Sequence, residues 1–351
     1  MIEKNEDIGL LQIPDSVKIG ENAFNAIRLL CCLIVIVGHS FDISNTAFAY
    51  RKFIDMPISV CIFFILSGFW VTKSFLASKN IKEYAIKRIK RLLPPYYLTV
   101  FFFAIICVFY SNLSTKEYFT SAHFWKYLFW NSIFLNFICP SLPGVFEGAA
   151  INGALWTIKV EIGFYIILPM LIYFLKKIDT KKKQNILLAF IYIFSVLWNE
   201  GLSRLAPVIH IPSQLSYQLP CYMSYFIMGM IFLFNWDNLI DKKHFFIIPA
   251  VSIFVAHYFT KTEILMPCAL TCILMWAGTT LKCFKRIGMP VDYSYGMYLF
   301  HFPLINIYTY YGFYSTSFIG ANIAVIGISF IMAFITEKYI QTNINRRKIN
   351  G

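Results

Sequence analysis

Apolar runs of about 16–22 residues recur along the whole chain, and roughly 20 residues of helix cross about 30 Å of hydrocarbon. They lie near 25–43, 56–75, 93–111, 155–175, 184–199, 220–234, 245–260, 264–281, 293–313 and 317–336. Of the 351 residues 58% are hydrophobic and 14% charged, a balance that no water-soluble globule of this size keeps on its surface. A lipid solvent leaves every backbone polar group to be satisfied within the protein. The sequence therefore predicts an all-α polytopic transmembrane helical bundle of about ten spans.

The net charge of +13 follows this topology. With the spans so placed, one side holds all of the 31 Lys and Arg except Arg51, Lys52, Lys116, Lys126, Arg204, Lys261 and the intraspan Lys159. Cytoplasmic loops carry such an excess, so both termini are expected in the cytoplasm, with residues 1–24 and 337–351 as tails around a membrane domain at 25–336. The basic residues form no face of the kind that binds nucleic acid, and membrane lipids are the expected partners. Residues 1–25 lack the basic-then-apolar order of a cleaved signal peptide, so the first span is expected to stay. The apolar stretch Phe124–Cys139 would reverse the charge alternation if counted as a span. It reads as a re-entrant or interfacial segment lining an outer cavity, with Pro140–Ala154 as a lid. The nine cysteines fall mostly within apolar runs and read as small core residues.

Ionisable residues inside spans are expensive and mark functional sites by default. In the first span Arg28 and His39 are 11 residues apart, three turns plus about 20° and about 16 Å along a helix. They share one face. A packed histidine bonded to a neighbouring helix is the other reading of His39. Lys87-Arg88-Ile89-Lys90-Arg91 abuts Pro94-Pro95, and Arg88 and Arg91, at i and i+3, can fork onto phosphate groups; plain positive-inside charge is the alternative. Glu161 enters the fourth span about 9 Å from its outer end, either as half of a structural ion pair or as a carboxylate that orients an imidazole or receives a proton. His301 lies just before Pro303, whose missing N–H loosens the helix. No His, Cys, Asp and Glu set recurs at metal-ligand spacing, and no metal is expected.

Five motifs in order resemble the acyltransferase-three membrane family: Arg28 with His39, Phe63-Phe64-Ile65-Leu66-Ser67-Gly68-Phe69, Arg88-x-x-Arg91 before Pro94, Leu155-Trp156-x-x-x-x-Glu161-x-x-x-Tyr165, and Ser294-Tyr295-x-x-Tyr298-Leu299-x-His301-x-Pro303. The resemblance implies an inner-membrane acyltransferase that moves an acyl group, most often acetyl, from acetyl-CoA as co-substrate to a cell-envelope glycan. It implies His39 as catalytic imidazole with Glu161 fixing its tautomer, and Arg28, Arg88 and Arg91 on the donor. Ser67, Trp156, Tyr295 and His301 would belong to the substrate cavity. Members that modify peptidoglycan often carry an extra soluble domain, and this sequence ends just past its last span; the expected acceptor is a lipopolysaccharide chain or a lipid-linked oligosaccharide. A glycan or anion transporter and a non-catalytic binding scaffold are the rival classes. The oligomeric state is not written in the sequence.

Overall fold

The structure is a computed structural model that describes residues 22–46, 54–210, 218–260, 262–287 and 291–349, with 11, 14, 51, 212 and 215. Most of the expected 1–24 tail lies outside the described residues. The described chain is helical, without strands: α1 Phe24–Ser44, α2 Met56–Leu76, α3 Ile81–Ile106, α4 Thr115–Thr120, α5 Ala122–Ser132, α6 Trp156–Lys176, α7 Lys181–Ile209, α8 Leu219–Phe234, α9 Trp236–Asp241, α10 Lys243–Thr260, α11 Met266–Thr280, α12 Ser294–Tyr310, α13 Phe313–Thr316 and α14 Phe318–Ile349. Among the described residues seven helices are long and apolar enough to cross a membrane. The other three expected spans are α8, α11 and α12, of 16, 15 and 17 residues. Segment 107–155 breaks into short helices and turns. Ser114 and Glu117 close a capping box on α4, and the Ser121 side chain caps α5, which fits a polar boundary better than hydrocarbon.

The chain divides into two compact units. The first takes the described residues of Met1–Arg28, Val60–Ala85 and Val160–Pro290; the second takes Leu29–Ser59, Ile86–Lys159 and Val291–Gly351. In the first unit the rings of Phe24, Phe69, Trp70, Phe232 and Trp236 form one cluster with neighbouring centroids 4.9–6.3 Å apart. Next to it α2 and α8 approach backbone to backbone. A methyl group on Gly68 would overlap the carbonyl oxygen of Phe226, and one on Gly229 would overlap that of Ile65. Small residues that let helices touch are the usual means of packing in lipid, where apolar side chains gain little from leaving the solvent.

Prolines inside spans raise a second requirement. Each lacks the N–H that the carbonyl four residues earlier would accept, and hydrocarbon offers no water in its place. In α6 Pro169 leaves the carbonyl of Tyr165 open, and the Tyr84 hydroxyl donates to it at 3.2 Å. In α12 of the second unit Pro303 leaves the carbonyl of Leu299 open, and the Asn152 amide donates to it at 2.8 Å. The helix is thus supported, not loosened, at Pro303. α12 also packs along α14.

Because the Gly68 contact is with backbone, no side-chain rotation can relieve an added methyl. Gly68→Ala is expected to cost about 1–3 kcal/mol as an overpacking substitution, read as a lower Tm of the detergent-solubilised chain; an unchanged Tm would show that α2 and α8 can separate freely.

Candidate active site

His39 sits one turn from the C-terminal end of α1, and His301 is fully buried in α12. His39 Nδ1 and His301 Nε2 are 2.9 Å apart, with the rings nearly parallel at 15°. On its other side His301 Nδ1 lies 2.7 Å from the carbonyl oxygen of Tyr298. A carbonyl only accepts, so the proton of His301 sits on Nδ1 and its Nε2 presents a lone pair. That lone pair takes the Nδ1–H of His39. The chain of bonds therefore runs from His39 through His301 to a main-chain carbonyl, and it leaves His39 Nε2 as the basic nitrogen. Any positive charge that develops on His39 is stabilised through the same bonds. This is the arrangement of a general base oriented by a third group, with an imidazole where a carboxylate usually stands.

Phe302 holds the His39 ring edge-on at a centroid distance of 5.0 Å. Loop residues before α6, together with Thr157 in its first turn, fix α12 on both sides of His301. Thr157 Oγ1 lies 3.0 Å from the Tyr298 hydroxyl, Asn152 reaches Leu299, and the Asn306 amide donates to the carbonyls of Ala150 and Ile151 at 2.9 and 3.2 Å. Beside His39, buried Ser40 bonds the Tyr314 hydroxyl at 3.0 Å and Asn322 at 2.8 Å. The sequence reading did not single out Asn152, Thr157, Ser40 or Asn322. The signal for Asn152 was present in Pro303, which requires a donor for Leu299, although it does not say which residue supplies it.

The other sequence candidates divide between the units. Arg88, Arg91, Trp156 and Tyr295 share the second unit with the two histidines; Arg28, Ser67 and Glu161 belong to the first. Arg91 is exposed and pairs with Asp292 at 3.5 Å, while Asp292 also accepts from the Ser294 backbone at the start of α12. Tyr295 donates to the carbonyl of Leu92 at 3.0 Å. These two contacts tie α3 to α12 at their basic ends. Trp156 opens α6. Ser67 is buried, and its Oγ meets no hydrogen-bond partner among the described residues. Glu161, expected to fix the tautomer of His39, accepts a short hydrogen bond from the Tyr165 hydroxyl. The group bonded to His39 Nδ1 is His301.

The sequence pattern described as an acyltransferase domain matches residues 21–338. The chain belongs to this acyltransferase family. This acyltransferase is 26% identical over 340 residues to the O-acetyl transferase of Shigella phage Sf6, covering 92% of the chain and 96% of the relative. It is 24% identical over 370 residues to the peptidoglycan O-acetyltransferase OatA of Listeria monocytogenes, covering 92% of the chain but 56% of that protein. A 168-residue stretch is 25% identical to nodulation protein 10 of Rhizobium leguminosarum bv. viciae, at 43% of the chain and 44% of the relative. No solved structure matches it.

Three substitutions test the relay and its support. His301→Ala is expected to lower acyl transfer by about 10²–10⁴-fold, and His301→Gln, whose amide oxygen can still accept from His39, to retain more activity than His301→Ala; equal rates in the two would show that His301 only fills space. Asn152→Ala leaves the Leu299 carbonyl buried without a donor, and about 1–3 kcal/mol of stability should go with it, measured as a fall in Tm.

Proposed function

We propose that this membrane acyltransferase moves an acetyl group from acetyl-CoA to a hydroxyl of a cell-surface glycan, such as a lipopolysaccharide O-antigen or a lipid-linked oligosaccharide. The reading is carried by the hydrogen-bond chain that ends on His39 and leaves its Nε2 basic. Support comes also from the O-acetyl transferase relative, matched over nearly its full length.

In this mechanism His39 Nε2 takes the proton of the acceptor hydroxyl as that oxygen attacks the thioester carbonyl. The carbon–sulfur bond breaks, and His39 returns the proton to the departing thiolate. The products are a glycan ester and free thiol. The same nitrogen also serves a two-step route, in which Nε2 attacks the thioester carbonyl and the carbon–sulfur bond breaks to release thiolate, after which the hydroxyl oxygen displaces Nε2 from the acetyl carbon and its proton passes to the thiolate. Throughout, His301 keeps the His39 ring in the productive tautomer.

The donor's phosphates call for cations. Lys87, Arg88, Lys90 and Arg91 on α3 supply them, and guanidinium groups can fork onto phosphate oxygens. On this proposal the basic ends of the helices face the cytoplasm of the inner membrane, as the excess of Lys and Arg favours. Trp156 and Tyr295 would line the path between donor and acceptor.

The test is acetyl transfer from labelled acetyl-CoA by the full chain in proteoliposomes, combined with mass spectrometry of envelope glycans with and without the gene. An acetyl ester that disappears without the gene, and a His39→Ala protein that inserts but transfers about 10²–10⁴-fold more slowly, are the expected results. Normal transfer by His39→Ala would overturn the mechanism. Unchanged glycans would overturn the acceptor class.

A further inference from the structure

A cavity of about 870 Å³ opens in the second unit, lined in part by Tyr110, Asn112, Phe146, Glu147, Asn306 and Tyr310. Its volume is within the range of about 300–1,000 Å³ usual for small-molecule sites. Two of its walls lead to the histidine pair. Ile43 follows His39 by four residues on α1, about 6 Å along the axis, and Asn306 follows His301 by five on α12, about 7.5 Å. The cavity thus begins one helical turn beyond the catalytic imidazole.

Its lining has a definite chemistry. Tyr110, Phe146 and Tyr310 bring three rings together with centroids 5.6–5.8 Å apart, and Tyr310 is well exposed. Between them stand neutral polar groups. The Asn306 amide N–H groups are committed to Ala150 and Ile151, which leaves its oxygen as an acceptor. Thr309 also lines the cavity, with its Oγ1 buried beneath the surface. Glu147 is the one charged residue among the described residues of the lining, and it is exposed. It is held there by three successive residues with left-handed φ: Phe146 at 46°, Glu147 at 54° and Gly148 at 86°. Such strain in non-glycine residues persists where the surrounding structure imposes it, and it clusters at ligand sites. Backbone pairing of Asn112 with Gly144, at 3.0 Å, and a bridge from Ser111 to Val145 anchor the loop.

Aromatic faces, neutral hydrogen-bonding groups and a single carboxylate are the complement of a sugar ring, whose C–H face is apolar and whose rim is hydroxyl. We infer that this cavity binds an uncharged pyranose of the acceptor glycan, stacked on Tyr110 and Tyr310, with Asn306 bonding its rim and Glu147 excluding uronic and other anionic sugars. The inference rests on the acyl-transfer reading above and narrows its acceptor to neutral sugars presented at the C-terminal ends of α1 and α12.

Saturation-transfer NMR on the full chain in lipid nanodiscs tests it, with neutral methyl pyranosides (glucoside, mannoside, galactoside and rhamnoside) and methyl glucuronoside as probes. At least one neutral probe should bind through its ring C–H protons. Tyr310→Ala should weaken it roughly fivefold, the usual scale of a lost aromatic contact, and Tyr310→Phe should not. Glu147→Gln should admit the glucuronoside while leaving the neutral probe bound. Absence of binding by any neutral probe, equal binding to Tyr310→Ala, or glucuronoside bound by the unaltered chain as well as the neutral sugars would overturn the assignment. His39-dependent acetyl transfer in a chain that fails this test would leave the enzyme reading standing and sink the cavity assignment alone. Sugar bound here by a chain that releases no thiol from acetyl-CoA would sink the enzyme reading and keep the site.

Discussion

A carbonyl without a donor cannot be left in hydrocarbon, and the neighbourhood of the candidate active site is organised around one such carbonyl. Pro303 creates it at Leu299, and Asn152 closes it. With that bond in place, the loop before α6 and Thr157 in its first turn bond α12 from Tyr298 to Asn306. His301 lies between the two attachments, in a position that a freely kinked helix would not hold. The Tyr84 bond to Tyr165 opposite Pro169 repeats the device in the first unit. In both cases a helix-breaking residue becomes a fixed docking point for a side chain from elsewhere in the chain.

The candidate catalytic arrangement follows from that support. His301 is fixed by its bond to the Tyr298 carbonyl, in the same helix turn that Asn152 and Thr157 hold. Its Nε2 is then a lone-pair acceptor, and His39 has one orientation in which its own Nδ1–H is used. The basicity of His39 Nε2 is thus a property of the packing of α12, and the histidine's place on α1 supplies the rest. Ser40, bonded to Tyr314 and Asn322, locks α1 against rotation beside it.

Much of the architecture was legible in the apolar periodicity. Every expected span corresponds to a helix, because roughly 20 apolar residues in lipid have few alternatives. His39, His301 and the arginines stood out as charges or imidazoles among apolar neighbours. Their pairing did not, since His39 and His301 are 262 residues apart and no spacing rule reaches that far. Glu161 was the carboxylate most easily matched to an imidazole by chemistry alone; in the structure Tyr165, one turn away on its own helix, takes its oxygen. Phe146 and Glu147 carried no sequence warning of their left-handed backbone, since neither is a residue type that favours it.

The end of the histidine chain on a peptide carbonyl has one further consequence. A carboxylate at that position could be protonated and pass charge onward, whereas the Tyr298 carbonyl is a terminus for proton traffic. The relay polarises but does not conduct. On the direct route proposed for acyl transfer, the proton that His39 accepts leaves by the nitrogen through which it entered, so deprotonation of the nucleophile and protonation of the leaving group share one atom and occur in sequence.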